Sequence, residues 1–146
     1  MRQVANPGPS SFDSMAFSPS FKTDNTRFAF TGAGTSEEDS GLYRSTDGGD
    51  SWRRVFGPRP SGLGHLALSP AFETDSTLFA DTGVYVFRST DRGDAWKEVL
   101  ENPAQITSLA LSPAFETDYT LYAATHHALL PSTDGGDTWE QPRLFL

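Results

Sequence analysis

Short apolar runs with a two-residue period recur three times along the chain and predict β-strands. The first run of each copy alternates a large apolar residue, an alanine and another large apolar residue, which is typical of a strand with one buried face. These runs are Met15–Ser18, Leu66–Ser69 and Leu109–Ser112. After a turn containing Thr-Asp, a second apolar run follows in each copy: Arg27–Thr31, Leu78–Thr82 and Leu121–Thr125.

Two further strands complete each copy. The third strand is predicted at Leu42–Ser45, Val84–Ser89 and Leu129–Ser132, and the fourth begins at Trp52, Trp96 or Trp139. The tryptophans are 44 and 43 residues apart. We call the strands A, B, C and D. A four-stranded unit repeated at this period predicts an all-β chain of β-propeller blades, with three four-stranded antiparallel sheets.

The predicted domain organisation follows from these repeats. Blades are expected at residues 14–57, 65–100 and 107–146 within one domain, and residues 1–13 are expected to be an N-terminal extension or latch. The first copy is longer because of an insertion near Thr35–Ser40.

The segment between strands C and D is the most specific motif. Its three copies place Ser, Asp, Gly and Trp at equal spacing: Ser45, Asp47, Gly49 and Trp52; Ser89, Asp91, Gly93 and Trp96; Ser132, Asp134, Gly136 and Trp139. An Asp carboxylate can accept N–H groups across a turn, Gly allows a positive φ, and Trp buries a large apolar surface. The motif resembles the Asp-box (BNR) repeat of sialidase-like propellers, Ser-x-Asp-x-Gly-x-Thr-Trp. The resemblance covers the chain from about residue 14 to its end, and it implies a structural hairpin remote from any active site.

Two copies depart from this pattern. Ala95 replaces the Ser or Thr of the other copies, and Pro131 stands where they have Arg44 and Arg88. Because proline lacks a backbone donor, strand C of the third blade is expected to be short or irregular there. Asp47 and Asp50 could supply oxygens to calcium, but they lack the spacing of a dedicated calcium loop. The structural role is the favoured interpretation.

Candidate ligand-binding residues lie at one end of the predicted sheets. Since the strands run up and down in turn, the B–C loops and the D–A segments share one end, and the A–B and C–D turns share the other. The turns are nearly identical between copies, whereas the loops are not. Resemblance to other propellers also places ligands at the loop end, near the axis. The individual residues there are Glu37, Glu38, Asp39, Arg59, His65, Asp81, His126 and His127.

Each candidate also has a plain structural explanation. The run Glu37–Asp39 suits a solvated loop tip, and Asp81 can bond a neighbouring turn. His126 and His127 are adjacent, so in an extended strand they would point to opposite faces and could not share a metal. We therefore expect no metal and no cofactor.

Composition excludes several partners and says little about location. The formal net charge is -8 and no basic face is visible, which argues against nucleic acid. No apolar run is long enough to span a membrane. The chain has no cysteine, and its first residues show no apolar signal-peptide segment. A soluble protein of unknown location is expected.

Catalysis is the less favoured function. Sialidases and glucan-cleaving hydrolases, which share the Asp box, need paired carboxylates or a Tyr–Glu pair beside the sugar. Sialidases also use an arginine triad, and their Arg-Ile-Pro motif is absent. The repeat equally resembles non-catalytic propellers, such as sortilin-type receptors and photosystem II assembly factor-like proteins. We predict a non-catalytic binding or scaffold module for a glycan or protein ligand. The alternative is a glycan-binding or sialidase-like hydrolase propeller.

Three blades are too few for a closed ring, because propellers have about four to eight blades. Open ends are expected to expose apolar sheet faces that carry Phe28, Phe30, Phe79 and Tyr122. Two copies could form a six-bladed ring, or the chain could be part of a longer one. We favour the homodimer of half-propellers, because Met1 opens the sequence and the three copies are complete.

Overall fold

The computed structural model describes residues 12–31, 37–57, 64–102 and 104–145. In this part of the chain, twelve strands form three four-stranded antiparallel sheets, which confirms the predicted all-β class. The strands are β1 Phe12–Phe17, β2 Arg27–Thr31, β3 Leu42–Ser45, β4 Arg53–Phe56, β5 Leu66–Leu68, β6 Leu78–Asp81, β7 Tyr85–Ser89, β8 Lys97–Glu101, β9 Ile106–Leu111, β10 Leu121–Thr125, β11 Ala128–Ser132 and β12 Arg143–Leu144.

Each sheet is one blade whose neighbouring strands follow one another in sequence. Blade 1 contains β1–β4, blade 2 contains β5–β8, and blade 3 contains β9–β12. The chain divides into two compact units, Met1–Leu63 and Gly64–Leu146, so blade 1 belongs to the first unit and blades 2 and 3 to the second. Strand β1 begins at Phe12 and so includes the last two residues of the predicted N-terminal extension. The remaining domain boundaries stay a prediction.

A one-turn helix follows strand A in each blade, where the sequence predicts only a turn. These helices are α1 Phe21–Asp24, α2 Phe72–Asp75 and α3 Phe115–Asp118. Each one ends at a residue with left-handed backbone conformation: Asn25, Ser76 or Tyr119. In blade 2 the Ser69 hydroxyl donates to Asp75 Oδ2 over 2.5 Å, and Asp75 Oδ1 accepts the N–H of Thr77 over 3.0 Å. The repeated Ser-Pro and Thr-Asp are therefore the two halves of one hydrogen-bonded turn.

Pro131 was predicted to make strand C of blade 3 short or irregular, and this prediction was wrong. Strand β11 is five residues long and pairs with β10 through Pro131 itself. The carbonyl of Pro131 accepts the N–H of Glu140, so its missing N–H also faces strand D. Strand β12 is accordingly the irregular one, since it has two residues and pairs only with Ala128 and Leu129. Strands β4 and β8, in contrast, begin directly after their tryptophans.

The core of the second unit lies between its two blades. Phe79 and Val86 of blade 2 are fully buried against Phe115 and Leu121 of blade 3. The rings of Phe79 and Phe115 meet edge to face with centroids 5.8 Å apart. Burying one such side chain contributes about 1.5–3 kcal/mol.

The expectation of exposed side chains on the open sheet faces was wrong for three of the four named residues. Phe28 and Phe79 are fully buried and Phe30 is nearly so. Tyr122 remains half-buried. None of the helices in the described ranges is long and apolar enough to cross a membrane.

Candidate functional site

The A–B and C–D turns bond to each other in every blade, so they share one end as predicted. The backbone N–H of Gly48 donates to Asn25 O, that of Arg92 to Ser76 O, and that of Gly135 to Tyr119 O, over 2.9–3.0 Å. We call this the turn end. The opposite end, with the B–C loops and D–A segments, is the loop end.

The C–D turn is a closed hydrogen-bond network. In blade 2 the buried Ser89 hydroxyl donates to Asp91 Oδ1 and accepts the N–H of Gly93, each over 2.8 Å. Asp91 Oδ1 also accepts the N–H of Ala95 over 2.9 Å. The indole of Trp96 donates to Gly93 O over 2.9 Å. The same bonds recur at Ser45, Asp47, Gly49, Ser51 and Trp52 and at Ser132, Asp134, Gly136, Thr138 and Trp139.

These bonds also hold the carboxylates in their charged form. Hydroxyl and backbone donors from Ser51 and Thr138 lower the pKa of Asp47 and Asp134, and the N–H of Ala95 lowers that of Asp91. Because each carboxylate accepts bonds from its own turn, the geometry supports a structural role rather than a ligand-binding one.

At the loop end of blade 2, two candidate residues form a pair. Nδ1 of His65 lies 2.8 Å from Oδ2 of Asp81. His65 precedes strand A and Asp81 ends strand B, and the N–H of Asp81 donates to His65 O over 3.0 Å. An antiparallel hairpin places the start of A opposite the end of B, so this cross-strand position is the signal by which sequence reasoning could have found the pair.

Burial makes the pair unusual. The Asp81 side chain is 0% exposed, whereas that of His65 is 42% exposed. Oδ1 of Asp81 accepts the N–H of Gly83 over 3.0 Å, so both carboxylate oxygens have partners. Burial raises the pKa of Asp81, and the bond from His65 offsets part of that rise. Because Nδ1 faces Asp81, the imidazole turns its Nε2 away from the carboxylate.

The pair occurs in one blade of three. The register places Ser14 opposite Phe30 in blade 1 and Ser108 opposite Ala124 in blade 3, at the positions of His65 and Asp81. A buried carboxylate costs folding energy unless it is paired. The departure from the repeat is therefore a specific feature of blade 2.

Of the other loop-end candidates, Glu37–Asp39 lie between strands B and C, where the sequence places them. Glu37–Asp39 form a single 3-10 turn whose carbonyls are used: Tyr43 Oη donates to Asp39 O over 2.8 Å, and Arg54 donates to Glu38 O. Arg59 lies outside the described residues. The contacts of Glu38 and Asp39 stabilise their own loop and do not indicate ligand binding.

His126 and His127 lie in a tight turn, not in an extended strand. The Thr125 side chain accepts the N–H groups of His127 and Ala128, over 3.2 and 3.1 Å. Both histidines are exposed, and their ring centroids are 6.5 Å apart in an edge-to-face arrangement, so the prediction of opposite faces was wrong. Among the described residues, no group of three or more His, Asp or Glu side chains could hold a metal ion.

Sequence reasoning did not anticipate a cleft at the turn end, between blades 2 and 3. It has a volume of about 290 Å³ and is lined by Asp75, Arg88, Phe115, Tyr119 and Asp137 among others. Arg88 Nη1 donates to Gly135 O and to Asp137 Oδ1, each over 2.8 Å, and Asp75 is bonded within its own turn. Its polar groups thus serve the scaffold, and we favour the His65–Asp81 pair as the candidate site.

Comparison with solved structures identifies the fold. A GH74 enzyme from Niastella koreensis superposes with a TM-score of 0.68 and 21% identity, over 93% of this chain and 23% of that chain. An ancestral GH74 enzyme gives 0.70 and 20%, over 99% and 19%. YCF48 bound to D1 peptide gives 0.57 and 22%, over 90% and 39%. No family model matches the sequence, and no curated protein is significantly similar to it.

The three sheets and these neighbours define the chain as a set of β-propeller blades. At identities of 20–22% the similarity concerns the fold alone. The chain spans about a fifth of the length of the two GH74 enzymes and about two fifths of that of YCF48.

Proposed function

We propose that the chain is a non-catalytic binding or scaffold module of the β-propeller class, with Asp-box hairpins as its scaffold and a ligand held at the loop end beside His65. The observation that carries this proposal is the His65–Asp81 pair. Within the ranges that the structure describes, it is the one place where a fully buried carboxylate replaces an apolar residue of the repeat.

The pair suits binding because it holds one side chain in one orientation. Asp81 accepts the Nδ1 proton and holds the ring orientation of His65. Nε2 of this half-exposed imidazole can then accept a hydrogen bond from a hydroxyl or amide group of a ligand. Both groups occur in the glycan and protein ligands that the sequence suggests.

The same geometry is unsuited to glycoside hydrolysis. That reaction needs two carboxyl groups about 5–10 Å apart, on either side of the scissile bond. The carboxylate of Asp81 is fully buried and bonded to His65 and Gly83, so it cannot reach a sugar.

A glycan-active propeller is the second candidate, because GH74 enzymes share the fold. The discriminating experiment incubates the chain with soluble β-glucans and sialylated oligosaccharides and measures released sugar. We expect none above the blank. Release that disappears in Asp81→Asn or Glu37→Gln would contradict the proposed function.

Binding is measured on the same glycans and on a peptide library. The variant His65→Ala should weaken any binding at the loop end by at least about tenfold, the effect of one lost hydrogen bond. His126→Ala is the matched control, since it removes another exposed histidine and should leave binding unchanged. Equal effects of the two variants would argue against the His65 site.

A further inference from the structure

We infer that a second copy of this chain covers the open face of blade 1 with the far face of its blade 3. The partner surface is read from the contact between blades 2 and 3 inside the second unit. There, blade 3 presents what we call its entry face, Leu109, Leu111, Phe115 and Leu121, to blade 2. Blade 2 presents its exit face, Phe79 and Val86, whose side chains are fully buried by the contact.

The entry face of blade 1 carries the same kind of residues but is open. Met15, Phe17 and Phe21 occupy the positions of Leu109, Leu111 and Phe115, because Met15 pairs with Ala29 as Leu109 pairs with Ala123. Met15 is 46% exposed and Phe17 is 56% exposed. The Phe17 ring stacks on that of Phe21 with centroids 5.0 Å apart, so two aromatic rings form a ready-made surface for a partner.

The exit face of blade 3 is the matching surface. Tyr122 and Leu129 stand at the positions of Phe79 and Val86, as the strand pairing shows. Both are half-buried, whereas Phe79 and Val86 are fully buried. In the contact between blades 2 and 3, Phe79 meets Phe115 edge to face. The equivalent contact between copies brings Tyr122 against Phe21.

One arginine shows that these two faces are matched to each other. In the second unit, Arg88 of the exit face donates to Gly135 O of the next blade over 2.8 Å. Blade 3 cannot repeat this bond, because Pro131 occupies the position of Arg88.

Blade 1 supplies the missing guanidinium itself. Arg27 stands where blade 3 has Leu121, and its Nη2 donates to Gly48 O, the counterpart of Gly135, over 2.5 Å. The guanidinium carbon lies 5.0 and 5.1 Å from the ring centroids of Phe17 and Phe21. The entry face of blade 1 carries its own arginine, so it needs none from its partner. It therefore fits the exit face of blade 3, which has no arginine at this position.

The number of blades then selects the size of the assembly. Closed propellers have about four to eight blades, and six is the one multiple of three in that range. Two copies related by a two-fold axis make the same contact twice. A second copy is therefore the partner that closes the ring, and it extends the proposed function from a module to an assembly.

Sedimentation velocity over about 1–100 µM chain, a range that spans weak and stable interfaces, tests this contact. Wild type should sediment as a dimer. Phe17→Glu and Tyr122→Glu alter the two opposing faces, and each should raise the dissociation constant at least about 100-fold, because the same lesion occurs at both contacts. Phe145→Glu is the matched control, since Phe145 directly follows strand D of blade 3 and is 55% exposed, and it should remain a dimer. Far-ultraviolet circular dichroism checks that each variant is folded.

Mixing the two face variants tests which faces meet. In a mixed dimer, one contact joins an unaltered Phe17 to an unaltered Tyr122, so the mixture should recover dimer that neither variant forms alone. A monomeric wild type, or a Tyr122→Glu variant that stays dimeric while Phe17→Glu dissociates, would overturn the proposed contact. Failure of the ligand assays leaves the sedimentation result unchanged, so the two proposals fail separately.

Discussion

The guanidinium of Arg88 in blade 2 donates a hydrogen bond to the carbonyl oxygen of Gly135 in blade 3 over 2.8 Å, and the same nitrogen lies 2.8 Å from Asp137 Oδ1. Gly135 belongs to the C–D turn of its blade, so one side chain fastens that turn to the preceding sheet. The apolar contact of Phe79 with Phe115 lies in the same interface. Polar and apolar contacts thus fix the packing of the two blades together.

Replacement of Arg88 by methionine should lower the free energy of unfolding of the second unit by about 1–2 kcal/mol. Methionine keeps the packing of the stem but loses the bonds to Gly135 and Asp137. Urea titration followed by tryptophan fluorescence measures the change. Lys97→Met is the control on an exposed cation, and equal destabilisation by both variants would contradict the role given to Arg88.

The substitution Ala95→Thr should stabilise blade 2. In the third blade the hydroxyl of Thr138 donates to Asp134 Oδ2. Threonine at position 95 would supply the equivalent hydroxyl to Asp91 in blade 2. The site is exposed, so the gain is at the low end for a hydrogen bond, about 0.5 kcal/mol, or a rise in Tm of about 1–2 °C. Ala95→Val has the same shape without the hydroxyl. If Ala95→Val raises the Tm as much as Ala95→Thr does, the gain comes from the shape of the side chain and not from its hydroxyl.

Two glycines with positive φ should respond differently to alanine. Gly41 has φ 142°, and a Cβ there would overlap Phe56 O of the neighbouring strand. Gly48 has φ 76°, and a Cβ there would meet no atom within 4 Å. Gly48→Ala should cost about 1–2 kcal/mol from backbone conformation alone, and Gly41→Ala should cost clearly more. Chemical denaturation measures the free energy of unfolding of both variants. Equal losses would contradict the extra cost given to Gly41, because the backbone would then move away from Phe56 without penalty.

Two kinds of aspartate should give opposite pH dependence. The pKa of Asp134 is lowered by bonds from Thr138, so its stabilising contribution is present above the ordinary Asp pKa and is lost as the pH falls through its lowered value. The pKa of Asp81 is raised by burial, so ionisation destabilises the fold as the pH rises from the ordinary value to the raised one.

The stability of Asp81→Asn relative to wild type should therefore increase as the pH rises above about 4. That of Asp134→Asn should decrease over a lower range, as the pH rises from the lowered pKa of Asp134 to the ordinary Asp value of about 4. Thermal unfolding of the three proteins across the acid range measures both differences. If both stability differences changed with pH in the same direction, the pKa direction given for one of the two aspartates would be wrong.

The sequence predicts the strands well because their causes are local. The two-residue alternation around Ala67 and Ala110 and the Ser-x-Asp-x-Gly turns depend on neighbouring residues alone. The one-turn helices were not predicted, because four residues are too few for a helical period to appear. The turn at His126 was missed because it depends on bonds to the Thr125 side chain.

The candidate site was predicted only in part. His65 and Asp81 both stand out as individual residues at the loop end, but their pairing depends on the register of β5 with β6, which places residues 16 positions apart side by side. Arg27 was not singled out, because the comparison needs two sets of equivalent positions: Arg27 stands where blade 3 has Leu121, and Pro131 stands where blade 2 has Arg88. These features arise from contacts between strands and between blades, which composition and spacing do not encode.

Native mass spectrometry of the unmodified chain tests most directly the claim that its two open faces belong together. We expect a main species at twice the 15.9 kDa of the single chain, with no ladder of larger assemblies. A single-chain mass at every concentration would contradict it, because the open face of Met15 and Phe17 would then have no partner in a second copy.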